Sequence, residues 1–117
     1  MNMTRSLVLG ALAAAVVALA PIQSASAAVY ANFYRDANCS GYMFNLQIPY
    51  DTGYVGSSAN DALTSVWVPA HTLIALYEHT NFTGQSEYLS NTTDSGRCMN
   101  VPSWFNDRTS SVATSFQ

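Results

Sequence analysis

Apolar and polar residues change rhythm once along this chain. Residues 7–20 are apolar almost without interruption. Beyond Ala28 the apolar runs are short, rich in Tyr, Phe, Val, Thr and Trp, and separated by Gly, Asn, Asp and Ser; residues 29–34, 64–68, 72–77 and 111–116 are examples. β-Branched and aromatic enrichment with turn residues at short intervals predicts an all-β sandwich or barrel. No stretch beyond Ala28 keeps helical periodicity for more than a turn or two.

The N-terminal run has a different meaning. Arg5 precedes it, and Ala25-Ser26-Ala27 follows with a small-x-small pattern. A charged start, a short apolar middle and a small-residue end are the parts of a secretory signal peptide. About 14 apolar residues fall short of the ~20 that span a bilayer, so no membrane anchor is expected. Residues 1–27 are therefore read as a signal peptide and 28–117 as one secreted, extracellular domain. About 90 residues suffice for a modest core. Cys39 and Cys98 then meet an oxidising environment, which predicts an intramolecular disulfide, with free thiols or a metal pair as the alternatives. Closing so long a loop stabilises by roughly 3–4 kcal/mol.

Charge removes one class of partner. After the leader the chain carries Arg35, Arg97 and Arg108 against seven acidic residues, and it has no lysine. Three scattered arginines assemble no basic patch, so nucleic acid is not an expected partner.

The chain also repeats itself. Tyr77-x4-Phe82-x-Gly84-x-Ser86 has the frame of Tyr34-x4-Cys39-x-Gly41-x-Met43, with Cys39 in the place of Phe82 and Met43 in that of Ser86. Further on, Asn60-Asp61-x-x-Thr64-Ser65 matches Asn106-Asp107-x-x-Ser110-Ser111. Two similarities in the same order mark a duplicated unit of about 40 residues. The units cover about 28–69 and 70–117, and they join at Pro69-Ala70-His71. In each, the aromatic-to-Gly segment predicts a folded hairpin whose Gly supplies φ > 0. The Asn-Asp pair predicts a turn ahead of a strand.

These motifs resemble those of microbial βγ-crystallins: the aromatic-x4-aromatic-x-Gly frame and the Asn/Asp pair followed by Ser/Thr-Ser, each present twice and in register. The resemblance implies a sandwich of two Greek-key motifs and two calcium ions held in a double clamp between the repeats. It implies carbonyl donors at Ala62 and Arg108, hydroxyl donors at Thr64 and Ser110, and side-chain oxygens from Asn60-Asp61 and Asn106-Asp107. Arg35 and Glu78, which follow the hairpin tyrosines, would add two more carbonyls. Calcium takes 6–8 oxygen ligands, and every donor here is an oxygen. With few carboxylates such sites are weak, on the order of 10⁻⁵ to 10⁻³ M. The Arg108 side chain is expected to point away from the ion.

Catalysis has little to rest on, and no enzymatic activity is expected. His71 and His79 have no nucleophile motif beside them and read as surface or turn residues. Trp67 and Trp104 read as core or inter-repeat packing. Asn81-Phe82-Thr83 and Asn91-Thr92-Thr93 match a glycosylation pattern, set aside because the leader has a bacterial character. The implied role is a monomeric, calcium-stabilised extracellular protein. Two alternatives share the fold. Residues 98–107 resemble a stretch of actinomycete metalloproteinase inhibitors, which implies a protease partner met through an exposed loop such as 51–58 or 91–97. A killer-toxin-like protein acting on a microbial cell-surface target is the other.

Overall fold

The computed structural model describes residues 27–117; the expected signal peptide, apart from Ala27, lies outside the described residues. Eight strands follow one another: β1 (Tyr30–Asp36), β2 (Ser40–Gln47), β3 (Asp51–Thr52), β4 (Ser65–Val68), β5 (Thr72–His79), β6 (Thr83–Asn91), β7 (Arg97–Asn100) and β8 (Ser111–Phe116). They form two four-stranded antiparallel sheets, in the orders β2-β1-β4-β7 and β3-β8-β5-β6. The expected all-β, two-Greek-key sandwich is therefore the observed architecture.

Each sheet borrows a strand. β7 follows β5 and β6 in the chain, yet it pairs with β4, where Trp67 faces Cys98. β3 follows β1 and β2, yet it pairs with β8, where Thr52 faces Val112. Both halves thus contribute to both sheets. The Pro69-Ala70-His71 junction lies between β4 and β5.

Strand alternation fills the space between the sheets. Ala31 and Phe33 of β1, Val66 and Val68 of β4, Ile74 and Leu76 of β5, and Val112 of β8 point inward and are buried. Leu63, Val101 and Phe105 close the core from the loops. The same period-2 rule turns Trp67 outward between Val66 and Val68. Trp67 and Trp104 are 40% and 46% exposed, so neither lies in the core. The Trp67 ring does lie against Gly96 of the second repeat, the inter-repeat packing that is the other expectation. In the loop that carries Trp104 it is the neighbouring Phe105 that is buried, with the two rings edge-on at 5.1 Å.

Two devices fasten the loops. The Cys39–Cys98 disulfide forms as expected, with Cα atoms 6.0 Å apart, and ties the β1–β2 hairpin to the borrowed strand β7. Beside it, the Asn38 amide donates to Asn100 Oδ1 at 2.8 Å and Asn100 Nδ2 donates to Asn38 Oδ1 at 3.2 Å. Asn91 is the second device. Fully buried at the end of β6, its Nδ2 donates to the carbonyls of Val68, Pro69 and Ser95 at 2.9–3.0 Å, and its Oδ1 accepts from Thr93. A side chain so engaged is closed to glycan attachment.

Replacing both cysteines (Cys39→Ser with Cys98→Ser) is expected to lower unfolding stability by roughly 3–4 kcal/mol, read from urea unfolding with the m-value compared. A loss under 1 kcal/mol would mean the hairpin is fastened by its hydrogen bonds alone.

Candidate metal centre

The hairpins come first, because they set the position of everything else. Asn38, Cys39 and Gly41 in the first hairpin and Asn81, Phe82 and Gly84 in the second all have positive φ. Gly41 and Gly84 are needed twice over: a Cβ on Gly84 would sit 2.6 Å from His79 Cδ2, and one on Gly41 2.8 Å from Asp36 Oδ2. Each hairpin is folded back and latched by a serine from the strand after the Asn-Asp turn. Ser65 Oγ accepts from the Cys39 amide at 2.9 Å and donates to the Asp36 carbonyl. Ser111 Oγ accepts from the Phe82 amide at 2.9 Å and donates to the His79 carbonyl at 2.6 Å. This is the work of the second hydroxyl in each Ser/Thr-Ser pair.

The aromatic lock also exists in both halves. Tyr77 and Phe82 meet edge-on with ring centroids 5.8 Å apart. Tyr34, whose hairpin has Cys39 in that place, meets Tyr42 edge-on at 6.1 Å instead. A bulge between Phe33 and Tyr34 brings Tyr42 opposite Tyr34. Ring packing therefore survives in the first hairpin beside the disulfide.

The Asn-Asp turns are related by the same approximate two-fold symmetry. The Asp61 amide donates to the Thr109 carbonyl at 3.0 Å, and the Asp107 amide donates to the Leu63 carbonyl at 3.2 Å. Thr64 N bonds the carbonyl of Tyr34 and Ser110 N that of Tyr77, at 3.0 and 2.9 Å. Asp61 and Asp107 both have left-handed backbones, with φ of 57° and 63°. Each turn thus lies against its own hairpin and reaches across to the other turn.

This brings the expected residues of the second repeat together with Asp61 of the first. A cleft of about 220 Å³ is lined by Asp61, Glu78, His79, Asp107, Arg108 and Ser110. Ser110 Oγ donates to Asn60 Oδ1 at 2.6 Å, which leaves its lone pairs free, while Asp61 is the member of its pair that lines the cleft. In the other half, Thr64 Oγ1 lies 3.5 Å from Asp107 Oδ1. Asn106 Oδ1, the counterpart of the Asn60 acceptor, is buried with no hydrogen-bond partner. Among the described residues the carbonyls of Ala62 and Arg108 accept no backbone hydrogen bond. Asp61, Asp107 and Ser110 give this cleft side-chain oxygens from both repeats, the donor type that a hard cation takes.

The Arg108 side chain does not point away. Its Nη1 lies 3.8 Å from Glu78 Oε2 and it lines the cleft, drawn there by a carboxylate thirty positions earlier in the chain. Glu78, expected as a carbonyl donor only, also turns its carboxylate to this side. The histidines are exposed: His71 Nε2 pairs with Asp94 Oδ1 at 2.6 Å and His79 Nε2 lies 3.7 Å from Glu78.

Known structures share this fold. A βγ-crystallin domain from Clostridium beijerinckii is 26% identical, with a TM-score of 0.57 over 74% of this chain and 98% of that one. The chain resembles the microbial βγ-crystallin domains in sequence and fold. A βγ-crystallin domain from Flavobacterium johnsoniae (24% identity, TM-score 0.57, 74% of this chain and 94% of that one) shows the same fold. So does a structure described under the evolution of the eye-lens βγ-crystallin fold (18% identity, TM-score 0.61, 82% and 94%). Residues 33–89 also match the model of peptidase inhibitor family I36. No curated protein sequence matches the chain.

Two outcomes follow from the hairpin locks. Ser65→Ala and Ser111→Ala each leave a hairpin amide and carbonyl without their partner, at an expected cost of about 1–3 kcal/mol in chemical denaturation. Partial burial, then the neighbouring Tyr88 and Asp51, push the Tyr77 phenol above its ordinary value of 10.0. Folding therefore favours the protonated ring. That contribution is fully present below pH 10.0 and is lost as pH rises through the folded value. Melting temperature should fall more gently above pH 10.0 in Tyr77→Phe than in the wild type.

Proposed function

We propose that this is a secreted calcium-binding βγ-crystallin domain, a monomeric, calcium-stabilised structural or interaction protein without enzymatic activity. The observation that carries the reading is the cleft where Asp61, from one repeat, meets Ser110 and Arg108 of the other. One ion would be held by the Asp61 carboxylate, the Ser110 hydroxyl and the carbonyls of Arg108 and Glu78. The other ion, at the first site, would be held by the Asp107 carboxylate, the Thr64 hydroxyl and the carbonyls of Ala62 and Arg35; the Asp61–Ser110 set is the second site. Asn60 accepts from the Ser110 hydroxyl and so orients it rather than reaching the ion; Asn106 Oδ1 makes no such bond. The disulfide supports secretion, since such bonds persist in oxidising compartments.

Calcium would supply a cross-link between repeats, and the chain's own residues decide its strength. Each set mixes one carboxylate with neutral oxygens, which places affinity on the order of 10⁻⁵ to 10⁻³ M. At 100 times the dissociation constant each ion adds about 2.7 kcal/mol to the folded state. That is large beside the roughly 5–15 kcal/mol of a typical domain.

A second reading, protease inhibition, draws on the match to the peptidase inhibitor family over residues 33–89. Thr92, Thr93, Asp94 and Ser95 form an exposed loop, anchored at its base by buried Asn91, of the kind that an inhibitor presents.

Calorimetric titration of the chelator-treated protein should show calcium-dependent heat and a higher melting temperature at millimolar calcium; the absence of both overturns the calcium reading. Thr64→Ala and Ser110→Ala should each weaken one site at least fivefold and spare the other, whereas equal loss at both sites contradicts the ligand assignment. Assay against a thermolysin-type protease tests the second reading, which no inhibition at micromolar protein would remove.

A further inference from the structure

The two sites differ in charge. The residue after the hairpin tyrosine is Arg35 in the first repeat and Glu78 in the second, and the residue after the Asn-Asp turn is Ala62 in the first and Arg108 in the second. Among the described residues Arg35 makes no ion pair, whereas Arg108 and Glu78 face each other at 3.8 Å beside Asp61 and Ser110. The two residues whose carbonyls serve the second site thus also meet through their side chains.

This pair is loose. A separation of 3.8 Å is too long for a hydrogen bond, and the Arg108 side chain is 49% exposed against 27% for Glu78. Such a contact adds little to stability. Glu78 is no better held elsewhere: Oε1 accepts from the Gln85 amide at 3.4 Å and lies 3.7 Å from His79 Nε2. A carboxylate with three weak partners can be drawn off by a stronger one, and a divalent ion at close range is stronger than a guanidinium at this distance.

We propose that Arg108 is a built-in competitor of the second cation site and that the Glu78 carboxylate is a ligand in reserve. With Arg108 in place, the positive charge opposes an incoming divalent cation and holds Glu78 aside. Without it, the local balance of Asp61 and Glu78 goes from one net negative charge to two, and Glu78 joins the donor set. The first site has no such latch, so residue 108 sets the difference between the two affinities. This inference rests on the calcium reading above.

Calcium titration of the full secreted chain by calorimetry separates the possibilities, with Thr64→Ala as the background that leaves the second site to be read alone. Arg108→Gln is expected to tighten that site about tenfold, equal to about 1.4 kcal/mol. Arg108→Lys, which keeps the charge, should gain less than twofold. Adding Glu78→Gln to Arg108→Gln should abolish most of the gain. If the wild type binds calcium and Arg108→Gln binds no more tightly, the competitor is overturned while the calcium reading stands. If the double variant keeps the full gain, the reserve ligand is overturned. If neither the wild type nor Arg108→Gln takes up calcium, the reading beneath the proposal fails and the proposal with it. Melting in chelator shows whether each variant remains folded, and the lysine variant supplies the comparison should the glutamine one unfold.

Discussion

Asp61 and Asp107 each hand a backbone N–H to the other repeat, and that reciprocal exchange governs the geometry of the molecule. The bonds to Thr109 and Leu63 hold the two turns against each other. An aspartate bent into the left-handed region at 57° or 63° tolerates the turn because its short polar side chain suits that backbone. Once the turns are joined, Asp61 of one repeat shares a cleft with Asp107, Arg108 and Ser110 of the other. The hairpins, latched by Ser65 and Ser111, lie against these turns, and the second brings Glu78 and His79 to the same cleft.

The borrowed strands make the same demand on a larger scale. β7 needs β4 and β3 needs β8, so neither sheet is complete until both repeats are in place. The disulfide reinforces one of these crossings and the Asn91 bonds fasten the loop that leads into it. The buried core of Phe33, Leu63, Ile74, Leu76 and Phe105 therefore belongs to no single repeat.

Much of this was written in local patterns. Strands and hairpins are local, so alternation and the Tyr-x4-aromatic-x-Gly frame predict them, and two cysteines in a chain read as exported predict their bond. What the chain did not disclose depends on partners far away in sequence. Tyr42 takes over for the missing hairpin ring because a bulge shifts the register of β1 on β2. Trp67 faces outward because its flanking valines face in, a parity that the aromatic itself does not announce. Arg108 turns toward the cleft, where Glu78 lies 3.8 Å from it, and Asp61 rather than Asn60 lines that cleft.

Exchange of the third strand also bears on how such a chain came about. A polypeptide with one repeat would present an open sheet edge and an amide on its turn with no acceptor. It would close both only by associating with an identical copy, which supplies each missing partner by symmetry. Joining the copies through a three-residue link such as Pro69-Ala70-His71 turns that association into an intramolecular one. The halves then need not match: one has a phenylalanine in its hairpin, while the other has in that place a cysteine whose mate lies in the strand it received.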